Sequence, residues 1–416
     1  DIDVVGLNCS TGPEHMREPI QFLGEHTHLP VSCIPNAGLP LNVDGQAVYP
    51  LEPQPFADAL TEFVEKNHIS IVGGCCGTTP AHLKLLVDQV GGRAHPIRPA
   101  DGEPLLASAI QAQAMQQVPP PFLIGERLNT QGSRKFKQLI LEERYDDLLE
   151  IAREQVESGA HGLDICVALT ERSDEAATIR TVIKKLAPLV RVPLVIDTTE
   201  PDVLEAALQT APGRCLINST NLESGRAKAD RVFALARKYN AAVIALTIDE
   251  QGMAKTAERK LEIARRIYDI AVNEHGLKPG DLVFDLLTFT LATGDPEFSQ
   301  SAVETMEGIR QVKQALPGVL TSLGVSNVSF GLAARARAVI NSVMLYHCVQ
   351  AGLDMAIVNP AQITPYADIP QNERDLAEDL LLNRRPDALQ RLIEGIGQSP
   401  AINNKVGAQA ALLQEM

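Results

Sequence analysis

The sequence predicts an α/β fold: a (β/α)8 TIM barrel preceded by the last part of a second (β/α)8 barrel. Three observations carry the main barrel. Short apolar runs rich in Val, Ile and Leu alternate with longer segments of helical periodicity, eight such runs fall between residues 119 and 365, and nearly all of them end in a charged or amide side chain. A doubly wound sheet alternates in the same way, so periodicity alone leaves both architectures open.

Composition narrows the function classes first. The 416 residues are 45% hydrophobic and 21% charged, which is ordinary for a soluble globular chain with room for two or more cores. A net charge of −15 and the lack of a Lys/Arg cluster beyond Arg134-Lys135-Phe136-Lys137 argue against a nucleic-acid surface. Seven cysteines, scattered mostly through apolar runs, fit a reducing cytoplasm better than a disulfide framework. No signal peptide is visible, and the apolar runs break well before the roughly 18 residues of a membrane span.

In chain order, residues 1–95 alternate strand and helix: Val4–Cys9, a helix near 13–25, Pro30–Ile34, a helix through Phe56–Lys66, Ile69–Val72, and a helix from Pro80 to Val90. Pro96, Pro99, Pro104 and the Pro119-Pro120-Pro121 run then mark 96–118 as a linker. Barrel strands are expected at Phe122–Gly125, Gly162–Val167, Leu194–Asp197, Cys215–Asn218, Ala242–Ile248, Leu282–Asp285, Thr321–Val325 and Met355–Val358. Residues 366–416 read as a trailing helical extension.

Two groups of side chains carry chemistry. Ile71-Val72-Gly73-Gly74-Cys75-Cys76-Gly77 sets two adjacent thiols at the end of a strand inside a glycine turn, and Val4-Val5-Gly6-Leu7-Asn8-Cys9 offers a third in a similar setting. Three thiolates make a zinc site with a fourth position open to a thiol substrate or water. The bland alternative is ordinary buried cysteine. The second group is the series of strand ends: Glu126, Asp164, Asp197, Asn218, Thr247 with Asp249, Asp285, Asn327 and Asn359. Any one of these reads equally well as a helix cap, but the set describes a polar ring at a barrel mouth. Carboxylates and amides suit a ligand rich in N–H donors, such as a pterin ring, and no glycine-rich phosphate loop or nucleophile elbow is present.

Gly-Leu-Asn-Cys at 6–9, Pro-Asn-Ala-Gly-Leu-Pro at 35–40 and Gly-Gly-Cys-Cys-Gly-Thr-Thr-Pro at 73–80 resemble the homocysteine-binding domain of the cobalamin-dependent methionine synthase family. Ile124-Gly125-Glu126-Arg127-Leu128-Asn129, Val195-Ile196-Asp197, Leu216-Ile217-Asn218-Ser219, Phe284-Asp285 and Gly324-Val325-Ser326-Asn327-Val328-Ser329-Phe330-Gly331 resemble the folate-binding domain of the same family. The resemblance implies zinc on Cys9, Cys75 and Cys76, a pterin held by Glu126, Asp197, Asn218, Asp285 and Asn327, and Asp164 close by, with Asn327 and Asp164 as the catalytic candidates. It implies homocysteine and 5-methyltetrahydrofolate as substrates. Leu128 and Cys166 depart from the family, where threonine and asparagine are common. Residues 1–95 would be the final three strand-helix units of the homocysteine barrel. No Asp-x-His-x-x-Gly cobalamin signature occurs, so cobalamin is expected on a region outside this chain or on a separate protein. Other pterin barrels, dihydropteroate synthase and the folate:corrinoid methyltransferases, and a non-catalytic folate and zinc scaffold are the alternatives.

Overall fold

Apolar runs joined by helical crossovers can pair only in parallel, and parallel pairing is what the chain adopts. The computed structural model describes residues 2–93 and 103–396, and the chain divides into two units, Asp1–Gly102 and Glu103–Met416.

The first unit runs β1 (Val5–Asn8), α1 (Pro13–His26), β2 (Val31–Ile34), β3 (Leu41–Val43), β4 (Gln46–Val48), α2 (Pro53–Asn67), β5 (Ile71–Val72) and α3 (Pro80–Val90). Strand β2 is central, parallel to β1 and β5. Its Val31 and Cys33 pack with Ile20 of α1 and with Phe56, Leu60 and Phe63 of α2, whose spacing sets them on one helix face. Each of the three helices begins with proline, at the position where its missing N–H has no intrahelical partner to lose. The β3–β4 hairpin lies outside the expected elements. Its signal is Asp44-Gly45, which takes the two left-handed positions of the turn, with φ of 53° and 84°.

The second unit opens with a hairpin, β6 (Leu105–Ala107) and β7 (Ala112–Ala114), inside the stretch expected as linker. Then follow β8 (Phe122–Asn129), α4 (Arg134–Leu141), α5 (Leu148–Glu157), β9 (Gly162–Cys166), α6 (Glu175–Leu186), β10 (Leu194–Asp197), α7 (Pro201–Leu208) and β11 (Leu216–Thr220). Next come α8 (Arg226–Tyr239), β12 (Ala242–Leu246), β13 (Ile248–Asp249), β14 (Gly252–Met253) and α9 (Ala257–Tyr268). The remaining elements are β15 (Leu282–Asp285), α10 (Ser301–Ala315), β16 (Leu320–Gly324), α11 (Ala334–Gln350), β17 (Met355–Val358), α12 (Gln371–Leu381) and α13 (Ala388–Ile396). The eight expected strands close into one parallel barrel in the order β10-β11-β12-β15-β16-β17-β8-β9, so the barrel and not the open doubly wound sheet is the outcome. Helices α12 and α13 lie in the expected trailing extension, of which 397–416 fall outside the described residues.

Strand periodicity positions the site. Side chains alternate across a strand, so Phe122, Ile124, Val195, Leu216, Ile244, Val283 and Met355 fill the barrel interior. Two residues further along, Ile124 is followed by Glu126, Val195 by Asp197, Leu216 by Asn218 and Val283 by Asp285, at the carboxyl ends of the strands. Leu106 and Met115, from the β6–β7 hairpin and the residue beyond it, join the same interior cluster. Arg214 fastens this hairpin by donating to the Leu105 carbonyl and to Asp281.

Candidate functional site

In the first unit Cys9 follows β1, and Cys75 and Cys76 follow β5. The Cys76 Sγ lies 3.8 Å from the Sγ atoms of both Cys9 and Cys75. All three sulfurs fall within 4.8 Å of one another, and they are the one such ligand group among the described residues. A disulfide would bring two sulfurs to about 2 Å, whereas tetrahedral zinc with Zn–S near 2.3 Å keeps its sulfurs about 3.8 Å apart. The spacing fits a three-thiolate zinc site.

Backbone bonds hold the triad. Cys9 N–H donates to Ile34 O at 2.9 Å and Cys75 N–H to Pro35 O at 2.8 Å, while Cys76 O accepts from Ala37 N–H at 2.9 Å. Buried Asn36 joins the loops: its side-chain oxygen accepts from Cys76 N–H at 3.2 Å and its own N–H donates to Thr11 O at 3.0 Å. The Pro-Asn-Ala-Gly-Leu-Pro motif thereby acts as the tie between the two cysteine loops. Cys9 and Ser10 both sit at φ 61°, and the Ser10 N–H, followed by the neighbouring thiols, lowers the Cys9 pKa. A Cβ on Gly77 would meet Tyr49 Cβ at 2.2 Å, so the tyrosine packs directly on the Cys-Cys-Gly turn. Cys33, Cys166, Cys215 and Cys348 are buried apart from this cluster, and burial pushes the first three up to about 12.

At the mouth of the barrel the strand-end residues separate into two kinds. Asp164, Asp197 and Asn218 meet in one network. Asn218 Nδ2 donates to Asp164 Oδ1 at 3.0 Å, and Asn129 Nδ2 bridges Asp164 Oδ2 at 3.2 Å and Asp197 Oδ2 at 2.8 Å. Burial, and then the Asp197 carboxylate, hold Asp164 well above the usual carboxylate range, and burial raises Asp197. Glu126 is also raised by burial, against the pull of the Ser326 hydroxyl that donates to it at 3.0 Å. On β15, burial pushes Asp285 up to about 6, while the Leu287 N–H that donates to its Oδ1 at 2.7 Å works the other way. Asp164 and Asp285 are buried, and Glu126 and Asp197 are half-buried acceptors at the mouth.

Other strand ends are local supports. Asn359 Oδ1 accepts from Ala361 N–H at 3.3 Å as the cap of a short helical turn, and Asp249 Oδ1 accepts from Gln251 N–H at 3.1 Å while pairing with Arg259. Thr247 donates to the Asp285 carbonyl at 3.2 Å. Asn327 stands in the 3-10 turn Val325–Ser329, exposed, and its side chain enters none of the hydrogen bonds of the Asp164 network. Its Nδ2 would lie 2.9 Å from a Cβ at Gly324, so glycine there lets the amide fold back over the end of β16.

Asn129 and Ser326 bond directly to the candidate carboxylates and were not singled out from sequence. Strand register hides Asn129. Pairing of β8 with β9 shifts between Gly125 and Leu128, so residues 126 and 129, three apart, both reach the mouth, which strict alternation forbids. Gln155 supports the irregularity by accepting from Arg127 N–H at 2.7 Å, and a Cβ on Gly125 would meet that same Gln155 oxygen at 2.6 Å.

Both units match known families. Residues 1–90 match the family described as Homocysteine S-methyltransferase, and residues 125–359 match the family described as Pterin binding enzyme. Methionine synthase of Mycobacterium tuberculosis (strain ATCC 25618 / H37Rv) is 41% identical over 420 residues, which is 99% of this chain and 35% of that protein. Methionine synthase of Mycobacterium leprae (strain TN) is 41% identical over 403 residues, 94% of this chain and 33% of that protein. The chain thus spans about one third of the length of the curated relatives it matches. Among solved structures, dihydropteroate synthase from Xanthomonas albilineans in complex with 7,8-dihydropteroate superposes with a TM-score of 0.44 at 16% identity, covering 71% of this chain and 100% of that one. With more than half of its residues inside the matched range 125–359, the chain belongs to the pterin binding enzyme family.

Proposed function

We propose that this chain is the substrate-binding part of a methionine synthase, taking a methyl group from 5-methyltetrahydrofolate at the barrel mouth and serving homocysteine at the thiol triad. The observation that carries the reading is the joint presence, in one chain, of a three-thiol cluster with zinc spacing and a half-buried network of carboxylates and amides.

In the barrel, Asp164, Asp197, Asn218 and Asp285 accept from and donate to the amino-pyrimidinone edge of the pterin, and Glu126 lies on the Ser326 side of the mouth. The methyl leaves an amine nitrogen, N5, which is a poor leaving group unless it is protonated or hydrogen-bonded as the bond breaks. Asn327 is free to turn toward N5, and Asp164, held above the usual carboxylate range by burial and Asp197, keeps a proton available within the network. In the first unit Cys9, Cys75 and Cys76 would hold zinc, which would lower the pKa of a homocysteine thiol and leave it nucleophilic near neutral pH. The methyl acceptor in the barrel is a reduced corrinoid, cob(I)alamin, carried on a region outside this chain or on a separate protein.

The test is methyl transfer to added cob(I)alamin. With 5-methyltetrahydrofolate and free cob(I)alamin the protein forms methylcobalamin, and no transfer above the uncatalysed rate would overturn the reading. A dihydropteroate synthase would instead join aminobenzoate to a pterin pyrophosphate, an activity that the same preparation should lack. Tight folate binding without any transfer would favour a scaffold.

A further inference from the structure

Lys260 on α9 is 0% exposed, an unusual place for an ammonium group. Its Nζ donates to the Ala254 carbonyl at 3.1 Å and to the Leu286 carbonyl, the residue directly after Asp285. It also lies 5.4 Å from the centre of the Phe289 ring, which stacks on Phe298. The lysine therefore grips the segment that follows β15 from beneath. The Thr305 hydroxyl, 2.8 Å from both the Leu287 and the Ser301 carbonyls, packs against that segment, which holds Leu287 at φ 60°, the left-handed region where a non-glycine residue needs support.

A methionine would fill this volume without the desolvation cost of a buried charge, so packing alone does not account for lysine. Its ammonium is held on the carbonyl of Leu286, next in the chain to Asp285, and acts on the Asp285 carboxylate through space. On that carboxylate act Lys260 from α9, the Leu287 N–H from the loop and the Gly324 N–H from β16, and Thr247, just beyond β12, donates to the Asp285 carbonyl. Glu304 on α10 faces Lys260 and is itself engaged by Ala257 N–H at 2.7 Å.

We propose that Lys260 is a positioning residue for the pterin: its ammonium clamps the segment after β15 through the Leu286 carbonyl and so sets Asp285, the adjoining residue, as the acceptor for the ring. This rests on the folate reading above. Burial alone drives Asp285 toward the neutral acid, and the ammonium opposes that drive.

Three variants separate clamp from charge, read by titrating 5-methyltetrahydrofolate across pH, with thermal unfolding as a check on folding. Lys260→Gln keeps N–H donors for the carbonyls and removes the charge. Its affinity should collapse on acidification about one pH unit earlier than in the unaltered protein, since one nearby opposite charge typically lowers a carboxylate by about 1–3 units. Lys260→Met should show the same shift and also bind more weakly at every pH. A folded Lys260→Gln protein with an unmoved midpoint overturns the proposal. Should neither lysine variant fold, Gly308→Ala decides: its new Cβ would lie 2.9 Å from Lys260 Cδ, displacing the ammonium without removing it. An unchanged pH midpoint and unchanged affinity there overturn the proposal as well. An unaltered protein that binds no folate at any pH would instead sink the folate reading, a separate outcome.

Discussion

The two sites solve opposite problems. The thiol triad lies at the end of a three-stranded parallel sheet, with Cys76 exposed and Cys9 and Cys75 partly so, and its geometry comes from backbone bonds between loops. The barrel site is built from strand ends, with Asp164 and Asp285 buried and its side chains bonded mainly to one another. A soft metal site needs open access for a thiol and needs its ligands fixed before the metal arrives. A hydrogen-bonding site gains from dryness, because exclusion of water strengthens each bond and makes an unpaired group costly.

Removing ligands tests the triad most severely. The Cys75→Ala, Cys76→Ala double variant should lose all bound zinc by metal analysis while binding folate as before, because the barrel has its own core. Equal zinc in both proteins would break the assignment of Cys9, Cys75 and Cys76.

In the barrel the largest effects should follow loss of a shared partner. Asn129→Ala deprives Asp164 and Asp197 of their common donor, and Asn218→Ala or Asp285→Ala leaves a ring donor or acceptor unpaired. Each should cost about 1–3 kcal/mol, roughly ten- to a hundredfold in folate affinity. An exposed control, Lys185→Ala, which loses only its pair with Asp146, should change affinity little. Calorimetric titration distinguishes the two classes, and equal losses would mean that the ring is not the binding surface.

Acid should act on the stability of the barrel and on its folate affinity with different signs. Asp285 binds its proton more tightly folded than unfolded, so its contribution to stability is greatest below 3.8 and is lost as pH rises through about 6. Between those values the ligand-free barrel gains stability from this group on acidification, while folate affinity falls because the ionised acceptor is lost. Thermal unfolding with and without folate should therefore converge as pH drops. Stabilisation by folate that is independent of pH would remove the carboxylates from the binding set.

The smallest effect on binding is expected at Asn327, exposed and outside the network. Asn327→Ala should slow methyl transfer to cob(I)alamin more than it weakens folate binding, as for a group engaged mainly in the transition state. Proportional losses in single-turnover transfer and affinity would leave Asn327 with only a structural part in the Val325–Ser329 turn.

Local pattern was enough for much of this. The eight barrel strands follow from β-branched runs between helical segments, and the placing of Glu126, Asp197, Asn218 and Asp285 at the strand ends follows from period-two alternation, which sets each two residues beyond an interior apolar side chain. The thiol cluster is likewise legible, since cysteines that close two apolar strand runs come together in the loops beyond the strand ends. Tertiary structure alone decided the rest. Helix cap and ring member look alike in sequence, and only closure of the barrel separated Asn359 and Asp249, which satisfy their own turns, from Asp164, Asp197 and Asn218, which satisfy one another. Asn129 enters because a register shift in β8 breaks the alternation, and Lys260 reads as a surface helix lysine until α9 packs it beneath the Leu286 carbonyl. The common reason is physical: periodicity fixes which side of its own element a residue faces, whereas the partner that waits there is set by contacts between elements far apart in the chain.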